Sequence, residues 1–388
     1  MNVPKLRFKE FNDNWKSYKL FDLVEFFKGN LLAKSDLDDN GKYPCILYGQ
    51  LYTRYKEVIR ITESKTNRDE KNIPRSKKGD VLIPSSGETP IDISTSSCIQ
   101  SDNVLLGGDI NILRPINCDG RFLSYTISNN KKTEIAKVAQ GHSVVHLYND
   151  NLKYVSINVP SIKEQNKIAN MLELLDKKTE LQTKKIEDLK LFKKGLNKFV
   201  FSNCTDEYKI ENLIIEYSNK TTENNQYEVL SSTANGITFQ NEYFNKQAAS
   251  NNNTGYKIIP KGFITYRSMS DTGEFHFNIQ DITDIGIVSP AYPVFNIKKN
   301  LVNKTYFVYY INENDGFKNE ILSTKEGGTR YALSITKFKT LNILLPKIEE
   351  QIKYSKYINI IINKIQLEEK KLEELIQLKK GLMQNMFV

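Results

Sequence analysis

Residues 189–201 read LKLFKKGLNKFVF, and residues 375–388 read LIQLKKGLMQNMFV. The likeness extends towards the N-terminus, because residues 160–201 and 346–387 align without a gap and share 16 of 42 positions. The shared positions include an entry of Pro-x-Ile-x-Glu-Gln, with Gln165 in the first copy and Gln351 in the second. A repeat of this length indicates a duplicated architecture, and it decides how the rest of the chain is interpreted.

Each copy predicts one long helix. Helix-forming residues dominate, and no proline interrupts about 40 residues, which would extend roughly 60 Å at 1.5 Å per residue. Apolar residues recur at steps of three and four, which is the a/d seam of a coiled coil. The seam of the first copy comprises Leu172, Leu175, Thr179, Gln182, Ile186, Leu189, Lys193, Leu196 and Val200, and that of the second comprises Ile358, Ile361, Ile365, Glu368, Leu372, Leu375, Lys379, Leu382 and Met386. We expect the two helices to pack on each other; two independent amphipathic helices are the alternative.

The segments outside the helices predict two strand-rich domains. Short β-type runs such as VLIP (81–84), YKIIP (256–260) and LNILLP (341–346) are bounded by Gly, Asn and Ser. The two segments are weakly alike at the same offset, for example at residues 137–160 and 323–346. We therefore predict an α+β fold with a pseudo-twofold repeat. Its parts are residues 1–159 and 204–345 as strand-rich domains, and residues 160–203 and 346–388 as helices packed as an antiparallel coiled coil.

Composition bounds the function. The net charge of +9 suggests a polyanionic partner, although residues 202–345 are slightly acidic, so a nucleic-acid surface there must be local. The sequence contains no run of about 18 apolar residues, so we expect no membrane span. The start of the chain has no apolar signal region, so we expect no secretory signal. Four scattered cysteines and three histidines without ligand spacing favour reduced thiols in the cytoplasm over a zinc site or disulfides.

Catalytic signatures are missing from the sequence. It contains no GxxxxGK[ST] loop, no GxGxxG after a strand, no HExxH and no Asn/Asp-Pro-Pro-aromatic tetrapeptide of adenine methyltransferases. We therefore predict that this chain is not an enzyme and has no catalytic or metal-binding residues of its own.

The repeated Glu-Gln entry, the heptad helix ending in Lys-Lys-Gly-Leu and their recurrence 186 residues apart resemble the specificity subunits of type I restriction–modification systems. PKLRF (4–8), GDVLIPSSGE (79–88) and GGDINILRP (107–115) are also similar to this family. The resemblance covers essentially the whole chain. It implies that each strand-rich domain is a target-recognition domain for one half of a split sequence in double-stranded DNA, with the helices setting the spacer.

The resemblance also implies partners. Two methyltransferase subunits would dock on the chain, and restriction (motor-nuclease) subunits would join them. S-adenosylmethionine, ATP and Mg would then be bound by those subunits rather than by this chain. Two alternatives remain open on the residues alone: a coiled-coil assembly scaffold without DNA specificity, and a nuclease whose site is not recognisable.

Candidate DNA-contacting residues are polar, basic or aromatic groups in loops, because such side chains read base edges and hold phosphates. In the first domain they are Tyr48, Gln50, Tyr52, Thr53, Arg54, Tyr55, Lys56, Ser85, Ser86, Glu88, Thr89, Gly141, His142 and Ser143. In the second they are Tyr266, Arg267, Ser268, Lys325, Thr329, Arg330 and Tyr331. Candidate partner-binding residues are Lys184, Lys185, Lys193, Lys194, Lys370, Lys371, Lys379 and Lys380. An amphipathic surface strand, ordinary turns and solvated charge are the structural alternatives for these sets.

Overall fold

The computed structural model describes residues 3–141, 144–240, 252–323 and 331–388. The chain divides into two compact units. Unit 1 comprises residues 1–184 and 370–388, and unit 2 comprises residues 185–369. Each unit therefore contains one strand-rich globule and portions of two long helices. No described helix is long and apolar enough to cross a membrane.

The globule of unit 1 contains short strands and helices. In chain order they are β1 (Lys16–Lys19), α1 (Leu20–Leu23), β2 (Val24–Lys28), a 3-10 turn (Lys34–Asp36), β3 (Tyr43–Ile46), α2 (Tyr48–Thr53), β4 (Val58–Ile59), β5 (Ser64–Thr66), β6 (Val81–Pro84), β7 (Ser86–Gly87), α3 (Pro90–Ile93), β8 (Ser97–Ile99), β9 (Leu105–Leu106), β10 (Ile110–Pro115), α4 (Gly120–Tyr125), a π-helical turn (Thr126–Asn130), α5 (Lys132–Val138), β11 (Val145–His146), α6 (Asn149–Leu152) and β12 (Ser156–Val159). A central sheet has the order β2-β10-β6-β8-β4, and a smaller one has the order β5-β3-β9. Strand β1 pairs with β12, and β7 pairs with β11, both antiparallel.

The globule of unit 2 follows the same plan. Its elements are β13 (Asp206–Lys209), α8 (Ile210–Leu213), β14 (Ile214–Glu216), β15 (Leu230–Thr233), β16 (Gly236–Phe239), β17 (Lys257–Pro260), β18 (Ile264–Thr265), β19 (Met269–Ser270), β20 (Asn278–Ile279), β21 (Ile285–Val288), β22 (Val294–Ile297), α9 (Lys304–Glu313), α10 (Asp315–Ser323), β23 (Tyr331–Ala332), α11 (Ile335–Thr340) and β24 (Asn342–Leu345). The sheet β14-β22-β18-β20 repeats the order β2-β10-β6-β8 of unit 1. The pairs β13–β24 and β19–β23 correspond to β1–β12 and β7–β11.

Two long helices, α7 (Ile162–Ser202) and α12 (Ile348–Asn385), carry the predicted heptad seams. None of the eighteen seam residues is exposed, because each is either buried or half-buried. In unit 1, Leu172 of α7 shares a core with Met383 and Met386 near the end of α12. Within unit 2, the ring of Phe199 meets Tyr354 near the start of α12. The two helices therefore run antiparallel in each unit, which confirms the predicted fold class.

The repeated Glu-Gln entry has a structural role in both units. The Gln165 side chain accepts a hydrogen bond from the Asp119 backbone N–H at 3.0 Å and donates to the Pro160 carbonyl at 2.9 Å. Gln351 does the same in unit 2, accepting from the Asn303 N–H at 2.9 Å and donating to Pro346 at 2.8 Å. One buried amide thus fixes the start of a long helix to the N-terminus of a globule helix, α4 or α9, because buried backbone groups require partners.

The preceding glutamate differs between the copies. Glu164 is buried and forms a two-pronged hydrogen-bonded ion pair with Arg7, whereas Glu350 is exposed. The segment that carries Arg7 also donates the Leu6 N–H to the Asn385 carbonyl of α12. The N-terminal segment and the end of α12 therefore close the core of unit 1 together.

Candidate nucleic-acid interface

A two-stranded ribbon brings the predicted loops of unit 1 together. Residue Ser86 of β7 lies opposite His146 of β11, and the Ser86 hydroxyl is 3.0 Å from the His146 Nδ1 atom. The Tyr52 ring of α2 lies beside Gly87, 3.9 Å from the place where a Cβ atom would stand. Burial, followed by the nearby Tyr48, Glu88 and Asp92 side chains, raises the pKa of Tyr52. The segments around residues 48–56 and 84–89 therefore form one surface with the β11 strand.

Some of the predicted contact residues in unit 1 are structural instead. Gln50 is buried; its side chain accepts from the Leu47 N–H at the start of α2 and donates to the Ser64 hydroxyl. Ser85 and Ser86 are also buried, and the Ser86 hydroxyl is occupied by His146. The prediction that these three side chains contact DNA directly was wrong, because they are buried inside the folded unit.

The remaining predictions in this unit lie on or near the surface. Tyr48, Tyr52 and Tyr55 are half-buried, while Thr53, Arg54, Lys56, Glu88, Thr89 and Gly141 are exposed. Two of the exposed groups already have partners, since Arg54 pairs with Glu63 at 3.6 Å and Thr89 caps α3 through Asp92. The predicted residues His142 and Ser143 lie outside the described residues.

Unit 2 repeats the ribbon at the equivalent place. Ser270 of β19 lies opposite Tyr331 of β23, and the Leu333 N–H donates to the Ser268 carbonyl at 2.9 Å. The corresponding bond in unit 1 runs from the Leu147 N–H to the Ser85 carbonyl at 3.0 Å. The two predicted segments of the second domain are therefore adjacent, although Lys325, Thr329 and Arg330 lie outside the described residues.

The structure contradicts the predicted DNA contact at Tyr266. Its side chain is fully buried, its hydroxyl donates to the Leu333 carbonyl at 3.1 Å, and its ring packs on Phe277 with centroids 4.3 Å apart. Burial raises the pKa of this phenol. Tyr266 supports the ribbon from beneath and does not face solvent, so it was wrong as a contact residue.

Beside the ribbon, unit 2 has a polar cleft of about 640 Å³. Its lining residues are Ser231, Ser232, Thr233, Ala234, Gln240, Arg267, Met269, Ser270, Asp271, Thr272, Glu274, His276 and Tyr292. Only Arg267 among them was predicted. The contribution of residues 230–240 was missed, although its alternating pattern around Asn235-Gly236 is a hairpin signal.

Arg267 differs from the other arginines that the structure describes. Each of the others forms an ion pair with an aspartate or glutamate of unit 1: Arg7, Arg54, Arg60, Arg68, Arg75, Arg114 and Arg121. Arg267 is exposed at the cleft, and no described carboxylate pairs with it. An unpaired guanidinium keeps its full donor set available for a ligand.

Two predicted docking lysines are structural anchors. Lys379 Nζ lies 2.6 Å from Asp176 Oδ1, 3.2 Å from Glu57 Oε2 and 5.3 Å from the Tyr125 ring centre. Burial alone would lower the pKa of Lys379, but the Glu57 and Asp176 carboxylates outweigh it and raise the pKa.

Lys193, the repeat equivalent of Lys379, pairs with Glu313 at 2.8 Å and lies 5.4 Å from the Tyr309 ring centre. Each of these half-buried lysines ties a long helix to a globule, and their role in docking stays a prediction. Lys185 is paired as well, with the buried Glu368 at 3.0 Å. The other predicted lysines are exposed: Lys184, Lys194, Lys370, Lys371 and Lys380.

The fold and the duplicated ribbon define a class of protein that sequence comparison also identifies. A model of the type I restriction modification DNA specificity domain matches residues 12–191 and again residues 207–377, and the chain therefore belongs to this family.

Particular relatives are similar over parts of their length. The chain is 34% identical over 97 residues to a putative type I restriction enzyme specificity subunit of Haemophilus influenzae, and 27% identical over 217 residues to the putative MjaX specificity subunit of Methanocaldococcus jannaschii. These matches cover 25% and 54% of this chain, but only 24% and 50% of the relatives.

Two further matches extend over most of the chain. The MjaVIII specificity subunit of Methanocaldococcus jannaschii is 22% identical, with 96% of this chain and 91% of the relative aligned. The crystal structure of a type I restriction–modification S subunit from M. genitalium superimposes with a TM-score of 0.64 at 17% identity. That superposition covers 100% of this chain and 99% of the other, so the fold is shared.

Proposed function

We propose that this chain is the DNA sequence-reading subunit of a type I restriction–modification complex, with each unit reading one half of a split target. The observation that carries the proposal is the duplicated ribbon beside a duplicated sheet, in a chain that belongs to the DNA specificity family. Arg267 supports it, because an unpaired arginine at a polar cleft suits bidentate recognition of guanine.

On this proposal, the partner subunits catalyse methylation and restriction. Methyltransferase subunits would bind S-adenosylmethionine, and restriction subunits would bind ATP and Mg. This chain contributes recognition and docking, and it has no active site of its own.

Exchange of residues 1–159 for the equivalent segment of another family member tests the division of labour. The exchanged chain is co-expressed with its methyltransferase subunit, and N6-methyladenine is mapped in the host genome. We expect one half of the methylated motif to change while the other half and the spacer stay the same. If both halves change together, the units do not read independently.

For docking, we propose an apolar stripe that repeats on the two long helices. Leu174 and Leu181 of α7 are 56% and 59% exposed, and their repeat equivalents Ile360 and Leu367 of α12 are 66% and 49% exposed. Residues seven apart lie on one face of a helix. Such exposed apolar pairs mark interaction sites more clearly than the flanking lysines do. Two equivalent stripes, one per unit, suit two copies of one methyltransferase subunit.

Replacing Leu174 and Leu181 together by serine should remove one methyltransferase subunit from the complex and leave the stability of the free chain unchanged, since both side chains are already exposed. Light scattering of the purified complex measures its mass. The pair Ile360 and Leu367 should behave alike, and all four changes should abolish docking. Serine at Ile61 and Ile116, which are exposed elsewhere in unit 1, is the matched control and should retain both subunits. A complete complex formed by the fourfold variant would contradict this docking surface.

A further inference from the structure

The hairpin of β15 and β16 separates apolar from polar side chains. Its register places Leu230 opposite Phe239 and Ser231 opposite Thr238. Leu230 and Ile237 are buried in a small core of unit 2, against which Phe239 packs. Because side chains alternate along a strand, Ser231, Thr233 and Thr238 point to the other face. The hairpin therefore presents a polar face with a fixed register.

Gln240 directly follows β16 and is no longer in strand conformation. Its backbone N–H donates to the Val229 carbonyl at 2.9 Å, which holds it beside the start of β15. Ser231, Thr233 and Gln240 all line the cleft that contains Arg267.

Two polar atoms at the end of the hairpin lack a partner in the part of the chain that the structure describes. The Thr238 hydroxyl and the Gln240 Oε1 atom are both buried, and neither forms a hydrogen bond with a described residue. An unsatisfied buried polar group costs stability, and native structures contain few of them. Gln240 lines the cleft, so a ligand that brings a donor into the cleft could satisfy its oxygen and remove this cost.

The charges of the cleft favour base edges over phosphate. Arg267 offers donors, but Asp271 and Glu274 also line the cleft, and carboxylates repel phosphate while accepting from the cytosine N4 amino group. A two-stranded ribbon has the dimensions of the major groove, and a glutamine amide matches the N6 and N7 atoms of adenine. Ser, Thr, Gln and Arg together are a base-reading set.

We infer that the β15–β16 hairpin is a base-reading element of the second half-site, in which Gln240 recognises an A·T pair next to a G·C pair recognised by Arg267. This inference rests on the proposed function. It assigns a specificity-determining role to residues 231–240.

Gln240→Leu tests the inference in the full complex, because leucine removes the amide at similar size. The variant is co-expressed with its methyltransferase subunit, and the methylome is compared with that of the wild type. We expect one A·T position of the second half-site to lose about 10- to 100-fold discrimination, with the first half-site unchanged. An unchanged motif at every position would overturn the assignment of Gln240.

Ser231→Ala provides an independent measurement if the leucine variant fails to fold. Ser231 lines the cleft from the same hairpin, and alanine removes only its hydroxyl, so the thermal midpoint of the free chain should change little. Affinity for a duplex that carries the wild-type motif should fall several-fold. A lower midpoint with unchanged affinity would overturn the hairpin as a reading element.

Ile259→Val is the matched control in the small core beneath the hairpin. Ile259 is fully buried there and is not among the residues that line the cleft, so valine should lower stability and leave the motif intact. The wild-type methylome distinguishes the two levels of the account. A split wild-type motif together with an unchanged Gln240→Leu motif rejects only this inference, whereas a wild type without a split motif rejects the proposed function itself.

Discussion

Replacement of Lys379 by methionine is expected to destabilise unit 1 by about 3–5 kcal/mol, because it leaves two enclosed carboxylates without their counter-charge. Lys379 joins α12 to Asp176 of α7 and to Glu57 of the globule. The Tyr125 hydroxyl also donates to Asp176, at 2.6 Å, so the network connects three parts of the unit. Glu57 follows α2 closely, and the loss should therefore loosen the predicted reading surface as well.

Urea unfolding of the full chain measures this effect. Lys380→Met is the matched control on the next residue, which is exposed, and its unfolding should not differ from that of the wild type. Lys193→Met should cost less than Lys379→Met, because its single carboxylate partner Glu313 is about one-third exposed at 34%. If Lys379→Met unfolds at the wild-type urea concentration, the network does not stabilise unit 1.

The same network predicts a pH dependence for unit 1. Burial would raise the pKa of Glu57, but Lys379, a backbone hydrogen bond and the Asn129 side chain together outweigh burial and lower it below the ordinary value of 4.5. A lowered carboxyl pKa contributes stability above the ordinary range and loses it as the pH falls through the folded-state pKa. The raised pKa of Lys379 makes its contribution disappear only above 10.5. Wild-type unit 1 should therefore lose this stability below about pH 4.5, and Lys379→Met should lack that loss.

Arg267→Ala should relax the second half-site and leave the first half-site intact. Loss of a bidentate contact to guanine lowers discrimination at one base pair by about 1–3 kcal/mol, or up to about 100-fold. The methylome of the variant complex measures this as N6-methyladenine at motifs that differ in that one position. Arg267 is exposed and pairs with no described carboxylate, so the stability of the free chain should change little.

Arg68→Ala is the control for charge alone. Arg68 pairs with Asp36 and Glu70 in unit 1, so its replacement removes one positive charge far along the sequence from the second reading surface. The methylated motif of Arg68→Ala should then remain as in the wild type.

Relaxation of both halves of the motif in Arg267→Ala would contradict independent reading by the two units.

The long-range plan of this fold is predictable because the repeat and the heptad spacing are local patterns. A seam of period 3.5 requires a partner helix, and all its positions are buried or half-buried as expected. The repeated Glu-Gln entry also indicated that both copies have the same role. That role, which is to anchor the start of a long helix, is seen only in the structure, where Gln165 accepts a hydrogen bond from Asp119 in a distant part of the sequence.

The residues of the reading surface were harder to predict. Tyr266 and Gln50 have the chemistry of contact residues, but their polar groups form hydrogen bonds within the folded protein. Lys379 follows the pattern of a solvated helix charge, yet Glu57, more than 300 positions earlier, encloses it. Partners so distant in sequence leave no local signal, so burial of a polar side chain has to come from the structure.

The methylome of the wild-type complex tests the central claim most directly. The chain is co-expressed with its methyltransferase subunit in a host without adenine methylation, and N6-methyladenine is mapped by long-read sequencing. We predict one split motif, with two short defined halves around an unread spacer of fixed length. A continuous motif, or no methylation from a complex that still assembles, would contradict the reading of DNA by two separate units.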